Sequence, residues 1–145
     1  MGGGYAAAVV ARVPFVVVLL LTLASCGHEK PTQQVHDTVD RFGKAVAAKD
    51  YQKLCDDLLA KNLIDALEES GVPCELALKT GFGDVKNPKI AVKTVAVNGD
   101  KALVSVHSTA EHQTPSDDTI ALVKEKGTWK VSSLAQPEPQ PPSQP

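Results

Sequence analysis

The chain has 145 residues, 43% hydrophobic and 22% charged, an ordinary balance for one globular domain. Its 15 basic and 17 acidic residues leave a net charge of -2, which argues against a nucleic-acid binder that works by neutralising phosphates. Three cysteines are too few for a small disulfide scaffold or a four-cysteine zinc site.

Residues 1–25 differ in composition from the rest. They carry a single charge, Arg12, followed by an apolar run from Val13 to Leu23 and the small residues Ala24 and Ser25. This is the layout of an export signal: a basic start, a short apolar core and a small-residue cut site. A permanent transmembrane helix is the competing reading. The stretch from Val13 to Ser25 spans only ~20 Å of helix at ~1.5 Å per residue, against a bilayer core of ~30 Å. Extending it backwards would put Arg12 in hydrocarbon. A myristoyl signal fails because Ala6 stands where serine or threonine is required.

Leu23-Ala24-Ser25-Cys26 places an aliphatic residue, two small residues and a cysteine at the end of the apolar core. With this motif the chain resembles a bacterial lipoprotein precursor. The resemblance implies that Cys26 carries a diacylglyceryl thioether, that residues 1–25 are removed, and that Cys26 becomes the first mature residue. A chance cysteine in an ordinary signal peptide is the alternative. Two acyl chains anchor stably at ~0.8 kcal/mol per buried CH2, so the expected location is the cell envelope, on the extracytoplasmic side of a membrane.

Residues 26–31 form a short polar tether. A domain is expected over 32–134, followed by a proline-rich, disordered tail over 135–145. The tail contains two P-x-x-P spacings, which fit either recognition or a plain solvated extension. In the domain, Val35, Val39, Phe42 and Val46 fall on one stripe of a first helix with Thr32 as its N-cap. A second helix opens on Asp50 as N-cap, buries Tyr51, Leu54, Leu58 and Leu59, continues through Leu63, Ile64 and Leu67, and stops at Gly71. Pro73 opens a short helix over 74–80, ended by Gly81.

The second half reads as strands. Residues 89–97 are β-branched, and Asn98-Gly99 signals a hairpin turn into 102–110. A loop with Pro115 leads to 119–125, and Lys126-Gly127 turns into 128–134, where Trp129 and Val131 share a face. The expected fold class is α+β, with N-terminal helices packed on a curved four-stranded antiparallel meander.

Helices first, a cysteine pair across them, the Asn98-Gly99-Asp100 hairpin and the ending Gly127-Thr128-Trp129-Lys130-Val131 together resemble the nuclear-transport-factor-two-like lipoproteins. The resemblance covers roughly 32–134. It implies a cone in which the curved sheet wraps around the helices and leaves an internal pocket. The domain is shorter than the enzymes of that superfamily, the ketosteroid-isomerase-like proteins.

Candidate chemistry is sparse. Cys55 and Cys74 lie either side of Gly71-Val72-Pro73, and export would place them where a disulfide persists. A redox pair is the alternative, but no C-x-x-C is present to lower a thiol pKa. A zinc site from these cysteines with His107 and His112 lacks any ligand-pair spacing. His28 falls in the tether, His36 beside the first helix's stripe, and His112 in a loop. The alternation places His107 opposite Val104 and Val106, outside the cone. Asp56-Asp57, Glu68-Glu69 and Asp117-Asp118 read as solvated faces and turns, and Asp118 and Glu125 as strand ends. No acid–base dyad of the superfamily transfers to a matching residue, so no catalytic, cofactor-binding or metal-binding residue is expected.

Three functions remain open. The first is a non-enzymatic, lipid-anchored envelope protein that binds an apolar ligand or an envelope protein partner. The second is a small-pocket enzyme of the ketosteroid-isomerase-like superfamily. The third is a structural envelope spacer. Nucleic acid is not an expected partner, and no cofactor is expected.

Overall fold

Helix α1 spans Pro31–Ala48 and buries Val35, Val39, Phe42 and Val46, the stripe that the sequence spacing predicts, together with Thr38 and Ala45. The computed structural model describes residues 1, 2 and 29–135. The signal segment, Cys26, His28 and the tail over 136–145 lie outside the described residues. The helix starts one residue before the expected N-cap: Lys30 is the N-cap, not Thr32, and makes no side-chain cap bond. Pro31 sets this start, because its fixed φ and missing N–H suit a first helical position. The expected tether thus loses its last residue to the helix.

The end of α1 uses no glycine. Lys49 adopts φ 56°, its N–H bonds to the Val46 carbonyl, and the Asp50 N–H reaches back to Ala45. These paired bonds form a Schellman closure. Asp50 then caps the next helix, its carboxylate accepting from the Lys53 N–H at 3.1 Å, as predicted. Helix α2 spans Tyr51–Lys53 and runs into a π-helical stretch, Leu54–Leu58.

The helical stretch expected from Asp50 to Gly71 is broken in two. Leu59 is extended, with ψ 142°, and bridges to Val131, while the Ala60 N–H donates to the Val131 carbonyl at 2.8 Å. Leu59 and Ala60 are fully buried against the sheet, so pairing there displaces the helical path. Helix α3 then spans Lys61–Glu69, with Leu63, Ile64 and Leu67 half-buried. Glu125 accepts from the Lys61 N–H at 3.0 Å and so satisfies a free donor of its first turn. Helix α4 spans Cys74–Phe82 and passes through Gly81 rather than stopping there. Burial of Leu78 and contact of Phe82 with the core hold that last turn.

Strands β1 (Lys89–Asn98), β2 (Lys101–Thr109), β3 (Ser116–Glu125) and β4 (Thr128–Ala135) form one antiparallel sheet in the order β1-β2-β3-β4. The first hairpin turns on Gly99-Asp100, one residue later than expected, because Asn98 still pairs with Lys101 and Gly99 supplies the positive φ. Lys126-Gly127 turns with positive φ at both positions, a type I′ geometry. The register skips Lys93 on β1 and Ser132 on β4, and these bulges curl the sheet around the helices. The core lies in that concave side. Val104, Val106, Ile120, Leu122, Trp129 and Val131 meet Val39, Phe42, Leu54 and Leu58.

Candidate functional site

The concave face has two unlike ends. At one, Leu58, Leu59, Ala102, Leu122, Trp129 and Val131 are nearly inaccessible and close the cone. Lys124 adds its ammonium 5.7 Å from the Trp129 ring centroid, a cation–π contact. At the other end the packing stops short. An open cavity of about 260 Å³ lies between Phe42 of α1, Phe82 of α4, and Ile90, Val106, Ile120 and Leu134 of the four strands. The alternation that turns Val104 and Val106 inward continues to Ser108, and that of Ile120 and Leu122 extends back to Asp118. Both Ser108 and Asp118 line this mouth.

The expectation for Asp117-Asp118 holds in part. Asp117 is exposed, as a solvated face requires, but the pair is not a turn: β3 begins at Ser116, the two carboxylates point to opposite faces, and Asp118 is half-buried. Asp118 accepts from the Ser116 hydroxyl at 2.7 Å. Among the described residues lining the mouth it is the one ionisable side chain, with Ser108 and Thr119 the hydroxyls. The arrangement can hold an apolar group and accept a hydrogen bond from a polar group attached to it.

The histidines fall as follows. His107 lies on the convex face, as its alternation predicts. Its Nδ1 is 2.8 Å from one Asp117 oxygen, and Lys93 Nζ is 3.1 Å from the other. Lys93 is the bulge residue of β1, and the bulge lets its side chain cross β2 to reach β3. The hydrogen bond from His107, then that from Lys93, hold the Asp117 carboxyl below the usual carboxylate range. His36 sits on α1 with Asp40, 3.5 Å from Nδ1, and Asp37. These three are partly exposed neighbours on one helix, which alone does not make a metal site. His112 occupies the β2–β3 loop with φ 60°.

Cys55 of the π-helical stretch and Cys74, the first residue of α4, are joined in a disulfide with Cα atoms 6.1 Å apart. The bridge loops around α3 and ties α4 to the closed end of the core. The pair is legible in the sequence, whereas the residues of the mouth are not named by it. The signal for them is the run of alternate residues from Leu122 back to Asp118.

No family model and no curated protein matches this chain. Solved structures do. A nuclear-transport-factor-two-like protein of unknown function from Shewanella baltica OS155 superposes with a TM-score of 0.50 at 12% identity, covering 68% of this chain and 86% of that one. A similar protein of unknown function from Silicibacter pomeroyi DSS-3 gives 0.49 at 15%, covering 68% and 87%. A de novo designed protein of the same fold gives 0.48 at 11%, covering 75% and 89%. The fold is the nuclear-transport-factor-two-like cone: helices against an open, curved four-stranded meander. At such identities the likeness defines architecture and carries no activity.

Proposed function

We propose that this protein is a non-enzymatic, lipid-anchored module of the cell envelope that holds a small apolar ligand, or the apolar end of a larger one, in the mouth of its cone. The observation that carries the reading is the 260 Å³ cavity walled by Phe42, Phe82, Ile90, Ile120 and Leu134, with Asp118 and Ser108 as its polar groups. Apolar walls with a few convergent polar atoms are the ordinary form of a small-molecule site. Anchoring rests on Leu23-Ala24-Ser25-Cys26, and the Cys55–Cys74 bridge fits an exported protein. Among the described residues no helix is long and apolar enough to cross a membrane.

The isomerase-like alternative draws on Asp118, a carboxylate in an apolar setting. Proton abstraction next to a carbonyl also needs a group that stabilises the developing oxyanion. Among the described residues of the mouth, only the hydroxyls of Ser108 and Thr119 could take that task.

Titration with the neutral dye Nile red tests the reading. The wild type should bind with a blue-shifted emission, and Ser108→Phe, which fills the mouth, should lose that signal while keeping its melting temperature. Equal binding by both proteins would contradict the site. For the anchor, the wild type should partition into detergent and Cys26→Ser should remain unprocessed or aqueous. Identical mass and partitioning of the two would contradict lipidation.

A further inference from the structure

The helical layer carries a second groove, remote from the cone mouth. It is open, about 560 Å³, and lies between α2 with its π-helical continuation, α3 and α4. Its apolar surface comes from Ile64, Pro73, Leu76 and the Cys55–Cys74 bridge. Leu76 is 53% exposed, one of the few large apolar side chains left open to solvent. The rim carries Asp56, Glu68 and Glu75, with Lys79 as its only cation among the described lining residues. None of the three carboxylates has a salt-bridge partner among the described residues. Lys130 reaches this region but bonds to the Asp56 main-chain carbonyl at 3.2 Å, not to its carboxylate. Tyr51 also lines the groove, with its hydroxyl buried and without a hydrogen-bond partner among the described residues.

Charge is segregated here. Residues 50–79 contain seven acidic and three basic residues, a net -4 in a chain whose total is -2, so the remainder of the chain is net positive. An exposed leucine beside unpaired carboxylates suits neither a purely solvated face nor a core. The π-helical stretch places Cys55 and Asp56 on the groove wall.

We infer that this groove docks a basic, extended segment of a partner protein. An arginine or lysine stem lies along Leu76, Ile64 and the disulfide. Its cationic head is met by Asp56, Glu68 and Glu75. Arginine and lysine stems cover apolar surface in this way while their heads stay with polar groups. Acidic rims also steer basic partners, which makes association fall with salt.

The test is fluorescence anisotropy on the purified protein with a labelled decapeptide of alternating lysine and leucine. A matched peptide with glutamate in place of lysine and free lysine serve as competitors. The basic peptide should bind, more weakly as salt rises. Neither competitor should displace it. The double variant Glu68→Gln/Glu75→Gln should weaken binding by about three- to tenfold, the scale of two partly exposed ion pairs. Asp100→Asn, in the remote β1–β2 turn, should leave binding unchanged, and both variants should keep the wild-type melting temperature. No binding of the basic peptide, equal loss in Asp100→Asn, or displacement by the acidic peptide would overturn the proposal. Displacement by free lysine at similar concentration would overturn it in favour of a small-cation site. Nile red binding at the cone mouth is unaffected by these variants, so the two sites fail separately.

Discussion

The closed and open ends of the cone are built from the same strands and behave differently. At the closed end the inward positions of β2, β3 and β4 hold Ala102, Leu122, Trp129 and Val131, and the chain segment Leu59-Ala60 lies directly on β4. At the open end the same rows finish in Ser108 and Asp118, and among the described lining residues the helices contribute the aromatic rings of Phe42 and Phe82. Continuous apolar filling gives stability at one end, while interrupted filling leaves room for a ligand at the other. The two tasks are separated by roughly the length of a strand.

The largest expected effect tests the closed end. Trp129→Ala removes a nearly inaccessible indole and should cost about 3–5 kcal/mol. In a domain of this size that lowers the melting temperature by roughly 15–30 °C. Ile90→Ala, at the half-buried mouth, should cost less than half as much. Comparable losses in the two variants, measured by thermal unfolding, would erase the distinction between the ends.

Next comes the bridge. Cys55→Ser should cost about 3 kcal/mol, the chain-entropy value for a separation of 19 residues. Thiol counting under denaturing, non-reducing conditions should find neither Cys55 nor Cys74 free in the exported protein. Unchanged stability on replacement would place the bridge outside the forces that hold α4 to the core.

Much of this contrast is legible in the sequence. The stripe of α1, the Asp50 cap, the four strands and the cysteine pair follow from spacing and turn chemistry. The Leu59-Ala60 break does not, since both residues suit a helix and only the sheet they meet turns them away. The closure at Lys49 is hidden for a related reason: lysine gives no sign of a left-handed conformation that glycine would advertise. The β1 bulge did leave a trace. Its apolar residues run Ile90 and Val92, then Val95 and Val97, a one-residue slip in the alternation at Lys93. The residues of the mouth are harder to see: Asp118 looks like a charged strand end, although it shares parity with Ile120 and Leu122.

The smallest expected effect belongs to the convex face. The Asp117 carboxyl titrates below its ordinary value of 3.8, chiefly through His107 and then Lys93. Because the folded pKa is the lower one, its contribution is present above the unfolded value and is lost as pH falls through the folded one. Wild type should therefore lose stability more steeply than Asp117→Asn below about pH 4, as read from urea midpoints. Parallel acid limbs would show that the cluster does nothing for folding. The effect is small because the group is exposed.

Methyl NMR during a titration with decanol tests the difference between the two ends most directly. The methyl signals of Ile90, Ile120 and Leu134 should shift with saturation while those of Leu58, Leu59 and Val131 stay in place. Shifts at the closed end, shifts confined to the exposed Leu103, which alternates with the inward Ala102 and Val104 and so lies on the convex face, or no shifts at all would contradict a ligand site at the mouth of the cone.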